Sequence, residues 1–213
     1  MSKLISTFGI LLIVSIPCFA SSPPTNEKWD DLYNEWMDIH YSNRQYTQKI
    51  SAFKSLLNDI IKQHKTDQKA VQPMVLEALI YCSYAEMESD FSSLSYVDDA
   101  YNLLKKAENL DPTLFEGTIY STLGALYSQV PGWPISFGDK KLAKQYLELA
   151  LHLYPNAADT NYLYGHFLLS QGQPTKAYPY LYQAANAPIR ASQRLVDVHA
   201  KADAIAALNA IKN

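Results

Sequence analysis

Apolar positions between residues 100 and 184 recur in a fixed order along three segments. Each segment carries a small residue, a large apolar residue four positions later and a second small residue three positions after that. The three sets are Ala100, Leu104 and Ala107; Ala143, Leu147 and Ala150; and Ala177, Leu181 and Ala184. Spacings of three and four residues place each set along one face of a helix. The pattern therefore predicts three similar amphipathic helices.

The distance between the sets predicts a repeat architecture. The second and third sets are 34 residues apart, and the first and second are 43 apart. A period of about 34 residues is typical of the tetratricopeptide (TPR) unit, which is a helix–turn–helix. Gly124 and Gly165 fall where that unit has a glycine, because its two helices cross closely there. We therefore expect an all-α, TPR-like helical solenoid of about three units over residues 73–190.

Helical spacing also continues on both sides of the repeats. Residues 27–64 predict an N-terminal helical hairpin, and residues 191–213 predict a C-terminal capping helix that covers the last unit. The residues expected on the buried side of the cap are Leu195, Val198, Ala202, Ile205, Leu208 and Ile211.

Three local features predict helix ends within the repeats. Asp139 is expected to be the N-cap of the second helix of unit two. Pro179 predicts that the last helix of unit three starts late or kinks, because proline removes a backbone hydrogen bond. Residues 89–95 are expected to form a longer loop between the helices of unit one.

The first twenty residues have the organisation of a secretory signal peptide. Lys3 precedes an apolar run over residues 4–16, and Cys18-Phe19-Ala20 is a small-x-small cleavage site. Cleavage after Ala20 would leave residues 21–26 as a flexible lead-in and Cys82 as the one cysteine of the mature chain. The predicted location is periplasmic, in a Gram-negative source, without membrane insertion after cleavage. The alternative is a lipid anchor on Cys18.

Composition narrows the classes of partner. The formal net charge is −3, with 48% hydrophobic and 18% charged residues. Such a chain can bury a core, and it lacks the basic surface that nucleic acid or an acidic membrane would require. Tyrosine is unusually frequent, with 16 copies.

No motif for catalysis, metal binding or a cofactor is visible. None of the five histidines shares a helical i, i+3 or i, i+4 spacing with another histidine or with cysteine. Cys82 lies on an apolar helix, where an inert buried thiol is common. We therefore expect a non-enzymatic protein with no metal and no cofactor, and keep an enzyme as the weakest alternative.

Residues 131–139 exceed what the repeat requires. This segment, PGWPISFGD, carries two prolines and two glycines, which disfavour helix, and two large aromatic residues, Trp133 and Phe137. Two interpretations stay open. Either the aromatic rings fold back into the gap between units one and two, or they form a rigid contact surface for a ligand or partner.

The first helices of TPR units line a concave groove. Residues expected on this face are Thr118, Ser121, Ala125 and Ser128 in unit two, and Asp159, Tyr162, His166 and Leu169 in unit three. This predicts a small, neutral, partly aromatic floor that favours an extended apolar or mixed ligand over an acidic tail. The residues predicted to bind a ligand or partner are Trp133, Phe137, Tyr120, Ser121, Tyr162 and His166.

Residues 123–172 resemble a group of exported bacterial TPR proteins. The shared positions are Leu123-Gly124, the PGWPISFGD block, Tyr146-Leu147, Asn161-Tyr162, residues 164–168 and Gln171-Gly172. The chain is similar in this region to the TPR T-components associated with TRAP-type transporters. The resemblance implies a periplasmic binding or assembly role without catalytic residues. It leaves two functions open, namely a scaffold or adaptor for a protein partner and a solute-binding accessory of a transport system.

Overall fold

The computed structural model describes residues 27–88 and 92–212, and within them the chain is built from nine α-helices. They are α1 (Glu27–His40), α2 (Tyr46–His64), α3 (Gln72–Met87), α4 (Ser92–Leu110), α5 (Thr118–Gln129), α6 (Lys140–Leu153), α7 (Ala158–Ser170), α8 (Pro174–Asn186) and α9 (Arg194–Lys212). A short 3₁₀ helix, Ala191–Gln193, precedes α9. The predicted signal peptide and lead-in lie outside the described residues.

The predicted all-α solenoid is confirmed. Helices α3–α4, α5–α6 and α7–α8 form the three most extensive helix pairs, and α1–α2 form the N-terminal hairpin. All nine residues of the recurring columns are buried, with exposures of 0 or 1%. The columns are therefore the positions where the second helix of each unit packs against the first.

Two glycines permit these helix pairs to cross closely. A Cβ atom added to Gly124 would lie 2.6 Å from Leu147 Cγ, and one added to Gly165 would lie 2.8 Å from Leu181 Cγ. Both distances are shorter than carbon–carbon contact. Each glycine faces the large apolar residue of its own column, so glycine and leucine form a matched pair in units two and three.

The helix ends differ in part from expectation. Asp139 is the N-cap of α6, since its Oδ1 accepts hydrogen bonds from the backbone N–H groups of Lys141 (2.7 Å) and Leu142 (3.1 Å). Of the two outcomes expected for α8, a late start or a kink, the late start was wrong, because the helix begins at Pro174 and contains Pro179 in its second turn. Pro174 sets the backbone angle required at a first helical position, which favours the earlier start. Helix α4 begins at Ser92, so the loop expected over residues 89–95 is shorter; residues 89–91 lie outside the described residues.

The capping helix buries the expected face only in part: Leu208 is buried and Leu195 and Ile211 are half-buried against the core, whereas Ala202 is exposed. The buried residues of α9 are Asp197, Ala200, Ala204 and Leu208, whereas Val198 and Ile205 are exposed at 43% and 49%. The alanines let α9 approach α7 and α8 closely, and an ion pair of Asp197 sets the rotation of the helix.

Helix α9 does more than cover the last unit. It packs on α7 and α8 and also reaches α1 at the other end of the chain. The ring of Tyr41, just after α1, stacks on His199 of α9 with centroids 4.3 Å apart. The first and last helices therefore meet across the concave side of the solenoid, and the groove expected there is closed.

No helix within the described residues is both long enough and apolar enough to cross a membrane.

Candidate functional site

The closed concave side encloses a cavity of about 210 Å³ that is partly open to solvent. Five helices line it, each with one face: α1, α3, α5, α7 and α9. We call it the central cavity. Its lining residues are Tyr33, Trp36, His40, Tyr41, Leu79, Cys82, Ser83, Glu86, Thr118, Ser121, Thr122, Ala125, Asp159, Tyr162, Leu163, Val196, His199, Ala200 and Asp203.

Helical spacing explains why these residues point inward. On α5 the lining positions are Thr118, Ser121, Thr122 and Ala125, which follow the i, i+3, i+4, i+7 pattern of one helix face. The lining residues of α3 and α9 show the same spacing, and those of α7 show its first three positions. The repeats therefore present equivalent faces to one cavity. Five of the eight residues predicted for the concave face line it, whereas Ser128, His166 and Leu169 are not among the lining residues.

Ser121 is a buried polar residue of this cavity without a hydrogen-bond partner among the described residues. Its side chain is 4% exposed, and its hydroxyl makes no hydrogen bond within the described part of the chain. A buried hydroxyl without a partner costs about 1–3 kcal/mol. The position of Ser121 on the cavity wall makes this hydroxyl available to a bound molecule.

The lining of the cavity is acidic, whereas the sequence predicted a neutral floor. Three carboxylates line it: Glu86 from α3, Asp159 from α7 and Asp203 from α9. No lysine or arginine is among the lining residues. Asp159 was expected on this face from the repeat spacing. Glu86 and Asp203 come from unit one and the capping helix, so their contribution depends on closure of the solenoid and was not predicted.

Asp159 is paired with a cation behind the wall of the cavity. Arg190 Nη2 donates to Asp159 Oδ1 and to Asp197 Oδ1, each at 2.7 Å. Burial raises the pKa of the Asp159 carboxyl, and Arg190 opposes that rise. Arg190 also donates to Glu116 Oε2 at 3.3 Å.

The same corner of the molecule holds α1 against the start of α9. Tyr33 donates its hydroxyl to Gln193 Oε1 at 2.6 Å, and its ring stacks on Phe115 with centroids 4.3 Å apart. Gln193 Nε2 in turn donates to the Phe115 carbonyl at 3.2 Å. We call the set formed by Tyr33, Phe115, Glu116, Asp159, Arg190, Gln193 and Asp197 the closing cluster.

The closing cluster depends on a strained turn. Phe115 and Glu116 have left-handed φ angles of 50° and 51°, followed by Gly117 at 90°. Non-glycine residues adopt this region at a cost of order 1–3 kcal/mol. The turn presents Phe115 to α1 and Glu116 to Arg190, and these contacts stabilise it.

A serine and a histidine lie in contact on the cavity wall, but their hydrogen bonds do not form a catalytic pair. Ser83 Oγ donates to the Leu79 carbonyl at 2.8 Å and accepts from Trp36 Nε1 at 3.2 Å. His40 Nδ1 lies 2.9 Å from the same oxygen and is therefore the donor, since the single hydroxyl proton is already used. An activated serine would have to donate to the histidine instead.

The protonation state of His40 agrees with this structural role. Burial, with smaller contributions from Lys49 and His199, lowers the pKa of His40 to about 4. His40 Nε2 is 3.8 Å from Glu86 Oε2, and the neutral ring does not form an ion pair there. The pair His40–Ser83 positions α1 on α3.

Cys82 also lines the cavity, where burial raises the pKa of its thiol to about 12. The side chain is therefore a protonated thiol at neutral pH, as expected from its helix. Within residues 27–88 and 92–212, no group of three or more histidine, cysteine or acidic side chains is arranged to hold a metal ion.

The loop of residues 131–139 is held closely by its own backbone. Gly138 donates its N–H to the Pro131 carbonyl, and Asp139 donates to the Tyr127 carbonyl, both at 3.0 Å. A Cβ atom on Gly138 would lie 1.9 Å from the Val130 carbonyl oxygen, so only glycine fits. We call this segment the aromatic loop.

The two aromatic residues of the loop have opposite environments. Phe137 packs between units one and two, stacking on Tyr101 with centroids 4.4 Å apart and meeting Tyr127 edge-on at 5.6 Å. Trp133 is 90% exposed, and its neighbour Ile135 is 63% exposed. The gap-filling interpretation therefore holds for Phe137, and the Trp133 indole lies free on the surface.

Tyrosines form the layer on which the aromatic loop rests. Tyr127 donates its hydroxyl to Tyr101 at 3.1 Å and stacks on Tyr146 at 5.4 Å. Tyr146 in turn accepts from Lys105 Nζ at 2.7 Å, and Tyr120 lies 6.2 Å from its ring. This cluster explains part of the high tyrosine content, and it places Tyr120 between units one and two, away from the central cavity.

The six predicted binding residues thus fall on separate surfaces. Ser121 and Tyr162 line the central cavity, and Trp133 and Phe137 belong to the aromatic loop. His166 is exposed on α7, 5.7 Å from the Tyr162 ring, and is not among the lining residues. The lining residues Trp36, Tyr41, Glu86, His199 and Asp203 were missed, because the approach of α9 to α1 leaves no signal in the repeat period.

Comparison with known proteins gives little beyond the architecture. No protein-family model matches the chain, and no curated protein matches it. The solved structure titled "Crystal structure of MamA" is similar over 77% of this chain and 89% of that chain, with 21% sequence identity and a TM-score of 0.46. A likeness at this level assigns neither a family nor a function, so the function has to be inferred from the two surfaces themselves.

Proposed function

We propose that the mature chain is a non-catalytic TPR-like interaction module that binds a protein partner, as an exported periplasmic scaffold or adaptor. One observation carries the proposal: Trp133 is 90% exposed at the tip of a loop whose other large aromatic residue is packed. Exposed tryptophan is uncommon on a folded surface, and tryptophan is among the residue types that dominate binding hot spots.

The aromatic loop is suited to contact a protein. Its backbone hydrogen bonds and the packed Phe137 hold the loop backbone in place before binding, so little backbone entropy is lost on association. Ile135 adds exposed apolar area beside the indole. The partner we infer is a folded protein with an apolar pocket that takes up the indole ring.

A capture experiment tests this proposal. Wild-type chain, Trp133→Ala and the control Tyr182→Ala would each be immobilised and exposed to native envelope extract. Tyr182 is 56% exposed on α8, so the control variant removes an exposed aromatic ring that lies outside the aromatic loop. We expect a specific protein to bind wild type and the control, and to rebind after purification, with binding lost in Trp133→Ala. Equal binding of the purified protein by all three would refute docking at the loop.

Export is a separate part of the proposal, supported by the signal-like pattern of residues 1–20 and by the resemblance of residues 123–172 to exported TPR proteins. N-terminal sequencing of protein from the native cell envelope tests it. A mature terminus at Ser21 is expected. An unprocessed Met1 would exclude export by this route, and a lipid-modified Cys18 would replace the free periplasmic form with an anchored one.

Solute binding is the second candidate, and a different observation favours it. The concave side is a cavity of limited volume, partly open to solvent, with a buried Ser121 hydroxyl that has no hydrogen-bond partner among the described residues. Native mass spectrometry of the protein from its own source would show a retained small-molecule mass that is lost on denaturation. A spectrum with the bare chain mass alone would count against this function.

A further inference from the structure

We infer that the central cavity is a binding site for a small organic cation, an amine or a quaternary ammonium. This inference rests on the second candidate function, solute binding, and names the chemical class of the solute. Size, charge, aromatic lining and one buried hydroxyl point to the same class.

The volume of the cavity limits the ligand to a small molecule. At about 210 Å³ it exceeds the roughly 150 Å³ of an engineered apolar cavity that holds benzene. It is below the roughly 300–1,000 Å³ of sites for drug-sized ligands. The cavity therefore suits a molecule of about one ring or a short branched chain.

The charges on the wall favour a cation. Glu86 and Asp203 line the cavity and are exposed, so their carboxylates lie where a ligand would enter. Asp159 already has Arg190 as its partner, and His40 is neutral. Lys49, which acts on Glu86 electrostatically, lies outside the lining and binds the His40 carbonyl at 2.7 Å. The two carboxylates at the mouth therefore face a cavity without a lining cation.

Aromatic rings also surround the same space. Trp36 belongs to α1, Tyr41 lies directly after α1, and Tyr162 belongs to α7. Electron-rich rings attract ammonium groups, and the attraction is strongest where water is excluded. Aromatic rings together with carboxylates provide both interactions that stabilise a desolvated organic cation.

The Ser121 hydroxyl supplies a polar contact inside the cavity. It is buried and has no hydrogen-bond partner among the described residues. A ligand hydroxyl or N–H group would satisfy it and remove the cost of leaving it unpaired. Ser121 therefore selects for a cation that also carries a hydrogen-bonding group.

Matched probes can separate charge from shape. Choline and its neutral carbon isostere, 3,3-dimethylbutan-1-ol, have nearly the same shape and the same hydroxyl, and only choline is charged. Titration of the mature chain with each, followed by calorimetry and by ligand-observed NMR, measures the contribution of the charge. We expect saturable choline binding, at least about tenfold tighter than that of the isostere.

Two variants locate the site. Glu86→Gln combined with Asp203→Asn should weaken choline about tenfold or more and leave the isostere unchanged. Glu35→Gln combined with Asp59→Asn is the control, because it removes the same charge at exposed positions that do not line the cavity. Ser121→Ala should weaken choline without lowering the melting temperature.

Each outcome has a defined meaning. Equal binding of choline and isostere, abolished by filling the cavity with Ser121→Phe, would keep solute binding and overturn cation selectivity. Absence of saturable binding of choline and of tetramethylammonium at millimolar concentration would overturn the inference. In that case a retained mass in native spectra would still support solute binding. Choline binding unaffected by the cavity variants would place the site elsewhere and would also overturn it.

Discussion

At the scale of single residues, the environment of each aromatic side chain in the loop predicts its role. Trp133→Ala removes an indole that is 90% exposed, so the free energy of unfolding should change by no more than about 0.5 kcal/mol. Phe137→Ala removes a ring packed on Tyr101 and Tyr127 and should cost about 2–4 kcal/mol. Urea unfolding of both variants checks this difference. A loss of several kcal/mol for Trp133→Ala would mean that the indole packs in solution.

For Ser121 we expect a substitution to stabilise the fold. Replacing it with alanine removes a buried hydroxyl that has no partner, so Ser121→Ala should stabilise the fold by about 0.5–1 kcal/mol. Thr160→Ala is a contrasting variant, because the Thr160 hydroxyl is buried and donates to the Tyr154 carbonyl at 2.8 Å. Thr160→Ala should therefore destabilise the fold. The melting temperatures of both variants, compared with that of wild type, test this difference. A Ser121→Ala variant less stable than wild type would show that the hydroxyl has a structural partner.

His40 links stability to pH. Its pKa is 6.5 in the unfolded chain and about 4 in the folded protein, so between these values the unfolded state binds more protons. Stability must then fall as the pH is lowered from about 6.5 towards 4, by up to about 3 kcal/mol from this residue. His40→Asn keeps a donor for Ser83 and should flatten that part of the curve. His152→Gln, on the exposed surface of α6, should leave that part of the curve unchanged. Urea midpoints across pH 4–7 measure the effect, and equal slopes in all three proteins would contradict it.

At the scale of the elements, the helix pairs follow from sequence and the position of α9 does not. The columns of small and large residues, with Gly124 and Gly165 opposite two of them, specify how α5–α6 and α7–α8 pair. The apolar periodicity of the last helix suggested Val198 and Ile205 as buried, but the structure buries Asp197 in that region. Hydrophobic periodicity assigns every aspartate to the exposed face, so it cannot predict a buried one. Its partner Arg190 precedes the helix, and nothing in the spacing links the two.

The closing cluster predicts that the stability of α9 depends on Arg190. Arg190→Met would leave the fully buried Asp197 and the buried Asp159 without their cation, at a cost of about 3–5 kcal/mol. Because Arg190 ties α9 to α7 and to the turn at Glu116, the loss should increase hydrogen exchange along Arg194–Lys212 most strongly.

Lys144→Met is the matched control for this variant. It breaks the exposed pair Lys144–Glu148, where both side chains are about half exposed, and should cost less than about 1 kcal/mol. Protection of α9 unchanged in Arg190→Met would show that the helix is held by its apolar contacts alone.

At the scale of the whole molecule, closure of the solenoid separates two surfaces that the sequence suggested as one. A repeat array predicts an open groove near the aromatic loop, and on that basis Trp133, Tyr162 and His166 were placed together. The contact between Tyr41 and His199 turns the groove into a cavity, while the loop rests on the tyrosine layer between units one and two. This arrangement depends on contacts between residues more than 150 positions apart, for which a local period carries no information.

The proposed function requires that the aromatic loop binds the partner protein independently of the central cavity. The direct measurement is the dissociation constant of the purified partner for three proteins: wild type, Trp133→Ala, and the cavity variant Glu86→Gln with Asp203→Asn. We expect Trp133→Ala to weaken binding by about thirtyfold or more, the effect of losing a hot-spot residue, and the cavity variant to bind within about twofold of wild type. Full affinity in Trp133→Ala, with binding lost in the cavity variant, would contradict the claim and place the partner at the central cavity.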